Sequence, residues 1–153
     1  MSVRLAPEEA WAVLEAAHTG ILTTLRADGR PVALPVWFVV VDRTIGLSAP
    51  TATKKVVRVR HDPRASFLVE SGERWAELEA VHLDGRIEIV DDERVADRIA
   101  GAIEEKYAAF QTPREAMPEA TQQRYAGRTF LRFLPEGRIL SWDNSRLFAT
   151  DIA

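Results

Sequence analysis

The chain has 153 residues, a formal net charge of −3, 46% hydrophobic and 28% charged residues, which describes one globular domain and not a disordered tract. It contains no cysteine, so disulfides, thiolate catalysis and cysteine-based metal sites are excluded. A pI near 5.7 argues against a nucleic-acid-binding domain. No apolar run is long enough for a membrane span, and acidic residues stand near the N-terminus where a secretory signal would be apolar. A cytoplasmic location is therefore expected.

In chain order, APEEAWAVLEAAHTG reads as a first helix. Pro7 suits an early helical position, Glu8 and Glu9 suit the positive end of the helix dipole, and Gly20 is expected to close it. Trp11 and Leu14 share a face with Ala10 and Ala17 beside them. A strand over Ile21–Arg26 follows, then a turn at Asp28-Gly29, a second strand over Pro31–Val41 and a short third over Ile45–Ala49. Pro35 has no N–H to donate to a ladder, so something interrupts regular pairing there.

TATKKVVRVRHDPRAS comes next and gathers Lys54, Lys55, Arg58, Arg60, His61 and Arg64 in a mildly acidic chain. Thr51 or Thr53 is expected to cap a short helix running to about Arg60. Strands over Ala65–Glu70 and Trp75–Val90 are joined by the turn SGER. An amphipathic helix then carries Val95, Ile99, Ile103 and Tyr107 at four-residue spacing, with Asp91 or Asp92 as its cap. Residues 111–127 read as helical or irregular, and a closing hairpin joins RTFLRFL to ILSWD through PEGR.

The strands come as antiparallel meanders without βαβ alternation, which points to a mainly β fold, a small barrel with flanking helices. There is neither a G-x-G-x-x-G turn nor a P-loop, and His18, His61 and His82 show no ligand spacing, so no metal site is expected. No G-x-S-x-G occurs, and the adjacent carboxylates at Asp91-Asp92 and Glu104-Glu105 do not face one another on a helix. A reaction carried by a cofactor is the remaining enzymatic option. The basic cluster either solvates a surface helix or holds an anion. In the second case backbone N–H groups near Thr51, Thr53 and Lys54, with the lysines, cradle a phosphate.

The order GILTTLRADGRPVALPVWFVV, LSAPTATKKVVRVRHDPRAS, VHLDGRIEIVDD and RFLPEGRILSWD resembles the pyridoxamine-5′-phosphate-oxidase-like split barrels, which include flavin- and deazaflavin-dependent oxidoreductases common in actinobacteria. That resemblance implies a six-stranded antiparallel split barrel that forms a homodimer with two cofactor sites at the interface. It implies that Lys55 contacts the cofactor phosphate with Thr51, Thr53 and Lys54 near it. It also implies that Leu34, Pro35, Val36 and Trp37 line the ring, that Ser48 adds a ring or phosphate contact, and that Trp142 reaches the partner's site or fills the barrel or interface.

The second strand lacks the basic residues of the true pyridoxamine phosphate oxidases, and the chain lacks their arginine-rich C-terminal segment, which points away from vitamin B6 oxidation. The implied cofactor is the deazaflavin F-420, with FMN as the alternative, and the implied reaction is hydride transfer to a planar conjugated small molecule. A flavin- or haem-binding protein without turnover and a weak nucleic-acid binder are the rival readings. Arg58, Arg60 and Arg64 are expected at the surface or interface unless the cofactor carries an acidic tail. The helical insertion over residues 92–127 either covers the pocket mouth or thickens the interface.

Overall fold

The computed structural model describes residues 2–124 and 127–149. Seven strands form one antiparallel sheet in the order β2-β1-β5-β6-β7-β4-β3. In the chain they run β1 (Gly20–Leu25), β2 (Pro31–Val36), β3 (Val39–Val41), β4 (Thr44–Pro50), β5 (Arg64–Ser71), β6 (Glu79–Ile89) and β7 (Arg128–Asp143). Four helices flank them: α1 (Pro7–Ala16), α2 (Lys54–His61), α3 (Glu93–Tyr107) and α4 (Glu119–Arg124). Among the described residues no helix is long and apolar enough to cross a membrane.

The two edge strands, β2 and β3, are consecutive in the chain and separated only by Trp37 and Phe38. A flat sheet of this width would hold its edges about 29 Å apart, whereas the link spans about 10 Å at most. The sheet must therefore curl into a half-barrel. The expected second strand is thus broken in two, and the sheet has seven strands where the resemblance implied six. The expected C-terminal hairpin is one long strand instead. PEGR forms an irregularity in the β6–β7 register, with Gly137 at φ 71, and pairing resumes beyond it between His82 and Leu140.

Alternation decides the faces. Leu34, Leu22, Phe67 and Leu83 lie opposite one another across four strands, and the last three are buried. With Phe38, Ile45, Leu47, Leu131 and Phe133 they fill the interior, each contributing about 1.5–3 kcal/mol of burial. The opposite face of the same rows carries Pro35, Ile21, Leu68, His82 and Leu140, none of them fully buried.

α1 packs Ala10, Trp11 and Leu14 into this core, as its pattern predicts, and the Glu9 carboxylate accepts from the Ala6 N–H at 2.7 Å. Gly20 does not close that helix. It opens β1, where a Cβ would lie 2.2 Å from the Phe67 ring. Trp75–Glu77, expected as strand, is a short 3-10 turn; Gly72 before it sits at φ 96. α3 starts as expected, with Asp92 accepting from the Arg94 N–H at 2.8 Å.

Candidate functional site

The break between β2 and β3 organises the site. Phe38 leaves the ladder, so its backbone groups need other partners. The last turn of α3 supplies them. The Phe38 N–H donates to the Tyr107 hydroxyl oxygen at 2.8 Å, and Lys106 Nζ donates to the Phe38 carbonyl at 2.9 Å. The Tyr107 hydroxyl lies 2.7 Å from the His18 carbonyl and 2.9 Å from that of Phe38, and donates its proton there. The Lys106 ammonium also sits 3.9 Å from the centre of the Phe38 ring. Burial pushes Lys106 down to about 8 and pushes the Tyr107 phenol up.

Trp37 lies flat on Tyr107 at 4.3 Å and 1°, while His18 meets Trp37, Tyr107 and Phe110 edge-on. Trp37 nevertheless remains 39% exposed. It lies outside the ladder, whose last β3–β4 pair is Val39↔Gly46, and shares a cleft with Ser48 of β4. Both residues line a cleft of about 1020 Å³ between the outer face of β4 and β7 and the segment from α3 to α4. The insertion thus roofs a pocket. On the cleft floor Ser48 pairs with Phe130, and its hydroxyl oxygen accepts from Arg128 at 2.8 Å.

A second group of residues gathers around α2. Lys55 is half-buried and its ammonium is pushed down, first by burial and then by the charge of Arg58. Arg58 donates Nε–H to the buried Thr24 hydroxyl at 2.9 Å; burial and the charge of Arg26 depress it in turn. Among the described residues no carboxylate forms an ion pair with Arg26, Lys55 or Arg58. Arg30, Arg64, Arg98, Arg132 and Arg146 all have one. Arg58 thus has a cation on either hand, Lys55 and Arg26, an arrangement that favours an anion.

The expected site residues therefore divide. Trp37 and Ser48 meet at the cleft, and Lys55 joins the cation group. Leu34 and Pro35 are exposed on the edge strand, but Val36 turns its side chain into the core and offers the outside only backbone. Lys54 points to solvent. Thr53 is the N-cap residue of α2, as expected, but neither threonine's side chain caps it: the Thr53 hydroxyl donates to the Pro50 carbonyl at 2.9 Å, and the Thr51 hydroxyl oxygen accepts from Thr129 at 3.0 Å. Trp142 is half-buried opposite Ala80, at the other end of β7 from Phe130. Arg58 is a correction: it is a member of the cation group, whereas Arg64 is held by Asp62 at 2.8 Å and Arg60 is exposed.

Arg26, Lys106, Tyr107, His18 and Arg128 escaped the reading of the sequence. Arg58 had a usable signal, since it follows Lys55 by three residues on one helix face. The others had none, because the contacts that define them join residues far apart in the chain.

Comparison with known proteins agrees with this architecture. The family described as Pyridoxamine 5′-phosphate oxidase matches residues 6–139. No curated protein matches the sequence. Among solved structures, the conserved hypothetical protein Rv2991 from Mycobacterium tuberculosis superposes with a TM-score of 0.81 at 29% identity, over 99% of this chain and 93% of that one. An FAD-binding protein from Mycobacterium smegmatis gives 0.64 at 21%, over 90% and 95%. An F420 reductase gives 0.65 at 21%, over 88% and 98%. With the family profile spanning most of the half-barrel and its α2 cation helix, this chain belongs to the pyridoxamine 5′-phosphate oxidase family of split barrels.

Proposed function

We propose that the protein is an oxidoreductase that binds the deazaflavin F-420, or FMN, and reduces a planar conjugated small molecule. The observation that carries this reading is Arg58, repelled by both Lys55 and Arg26, with no carboxylate ion-paired to any of the three among the described residues. A phosphate relieves that repulsion, and each charge-assisted hydrogen bond contributes about 1.5–3 kcal/mol. From there the exposed outer edge of β2 at Leu34 and Pro35 leads to Trp37, an apolar track for a tricyclic ring. When bound, the reduced cofactor supplies the hydride. The chain's own residues hold the phosphate, orient the ring against β2 and keep water from it; Tyr107 and Lys106 fix the backbone beside Trp37. With Arg64 neutralised by Asp62 and Arg60 facing solvent, nothing on this helix favours an acidic tail, so FMN stands level with F-420.

A second copy of the chain completes the site in this reading. The row Pro35, Ile21, Leu68, His82 and Leu140 is an incompletely buried, largely apolar face suited to a two-fold partner.

Titration with FMN and with F-420, followed by fluorescence quenching, tests the proposal. The expected result is saturable binding of one of them, weakened in Lys55→Ala. Failure of both to bind below about 50 µM, a level near −6 kcal/mol, sinks it. Binding of haem alone by the same protein would favour the non-catalytic rival. Light scattering checks the dimer.

A further inference from the structure

We propose that Arg58 makes the cation group selective for charge: the group takes a terminal phosphate monoester, with about two negative charges, in preference to a phosphodiester with one. The inference deepens the reading above and rests on it, since it takes this group as the holder of the cofactor's phosphate.

Two elements bring the cations together. α2 buries Val56 and Val59 in the core, and Lys55 and Arg58, three residues apart, are neighbours on its surface. Arg58 reaches across to β1, where its Nε–H donates to the buried Thr24 hydroxyl at 2.9 Å. Arg26 follows Thr24 by two residues, hence on the same face of the hairpin. Its N–H donates to the Arg30 carbonyl at 2.9 Å, which carries the ladder one step beyond the Leu25↔Pro31 pair. The charge of Arg26 is felt at Arg58, and that of Arg58 at Lys55.

Thr24 orients Arg58 without neutralising it. A hydroxyl accepts the Nε–H and adds no negative charge. Among the described residues that is the guanidinium's one protein hydrogen bond, so its two terminal nitrogens keep their donors for a ligand. Arg64 shows the contrast six residues on: Asp62 takes both its Nε–H, at 3.1 Å, and a terminal N–H, at 2.8 Å, leaving a neutral pair. The Lys55 ammonium is half-buried and likewise has no protein hydrogen bond among the described residues.

Charge and donor count then point the same way. A monoester presents three terminal oxygens. The fork of Arg58 offers donors for two of them, and Lys55 offers donors for the third. A diester has one terminal oxygen fewer and one charge. It therefore leaves positive charge uncompensated in a partly buried place, where that costs more than in water. FMN ends in a monoester, whereas the phosphate of F-420 is a diester, so this criterion ranks FMN ahead.

Fluorescence titration of the cofactor-free protein with FMN and with its methyl phosphodiester, riboflavin 5′-(methyl phosphate), removes one charge and keeps the ring. FMN should bind at least about fivefold tighter than the ester. In Arg58→Gln, whose amide can still donate to Thr24, the preference should fall below about twofold. If that variant fails to fold, Arg26→Gln at an exposed position serves instead and should at least halve the preference. A preference under about fivefold in the unaltered protein, or one that outlasts these substitutions, overturns the inference. Persistence in the variants would mean that the site excludes the methyl group by shape. F-420 and the methyl ester binding as tightly as FMN would uphold the proposed function and sink the charge selectivity alone. Failure of FMN, its ester and F-420 all to bind below about 50 µM sinks both.

Discussion

The interior of the half-barrel and the seam outside it obey different rules. Inside, Phe67, Leu83 and Phe133 bury apolar surface while the strand ladders satisfy the backbone. At the seam, Phe38 is served by side chains from α3 and, among the described residues, Lys55 and Arg58 lie beside each other with no carboxylate ion-paired to either. The interior is closed in energy terms, whereas the seam is satisfied by borrowed partners in one half and left short of negative charge in the other. A region that folding leaves short of a charge is where a ligand gains most by arriving.

Four experiments sharpen or break that contrast. The largest effect belongs to the interior: Phe133→Ala should cost about 3–5 kcal/mol in chemical denaturation, because a fully buried ring leaves a cavity. At the cation group the sign should differ between two measurements. Lys55→Ala should weaken FMN or F-420 binding by about 10- to 150-fold, the loss of one charge-assisted contact. Yet the same variant should unfold no more readily without cofactor, because it removes a partly buried charge repelled by Arg58. A clear loss of apo stability would mean that Lys55 holds the fold and has no need of an anion.

Tyr107→Phe should cost about 1–3 kcal/mol, since it strips the Phe38 N–H of its acceptor in a buried place. Trp37 emission should also shift, because the stack rests on that ring. The smallest effect concerns Lys106. Burial sets it at about 8 in the folded chain against 10.5 for a free lysine. Between those values the unfolded chain holds the proton that the folded chain has released, so this group makes stability rise with pH across that window. Below pH 8 both states are protonated and its contribution is flat. Lys106→Met should remove the rise in a denaturation series from pH 7.5 to 10. An unchanged slope would show that the ammonium is better solvated than its contact with Phe38 implies.

How much of this the sequence disclosed differs between the two regions. The four-residue spacing of α3 marked its packed face, because burial imposes a period on neighbouring residues, whereas the alternation of β1, β5 and β6 emerged from their burial in the folded sheet. Pro35 pointed to an interrupted second strand, but on this edge strand pairing runs regularly through Pro35 to Val36 and breaks at Trp37 and Phe38. The proline-glycine run PEGR misled, since a bulge and a turn draw on the same residues and differ only in whether the partner strand continues. Lys55 could be named from the cation-rich helix, but Arg26 could not. Its relation to Lys55 and Arg58 exists only once the β1–β2 hairpin is brought against α2.

By itself, then, the sequence determined a cysteine-free, mainly β chain with a helix-borne lysine pair and an apolar second strand. Tertiary structure decided that this strand splits, that Tyr107 and Lys106 cap the break, and that the 92–127 segment roofs a cleft over Trp37 and Phe130. The reason is one of range. Periodicity and turn chemistry act between neighbours and leave a trace in order, whereas a shared hydrogen bond between Phe38 and Tyr107, or the pairing of Ser48 with Phe130, depends on closure of the sheet.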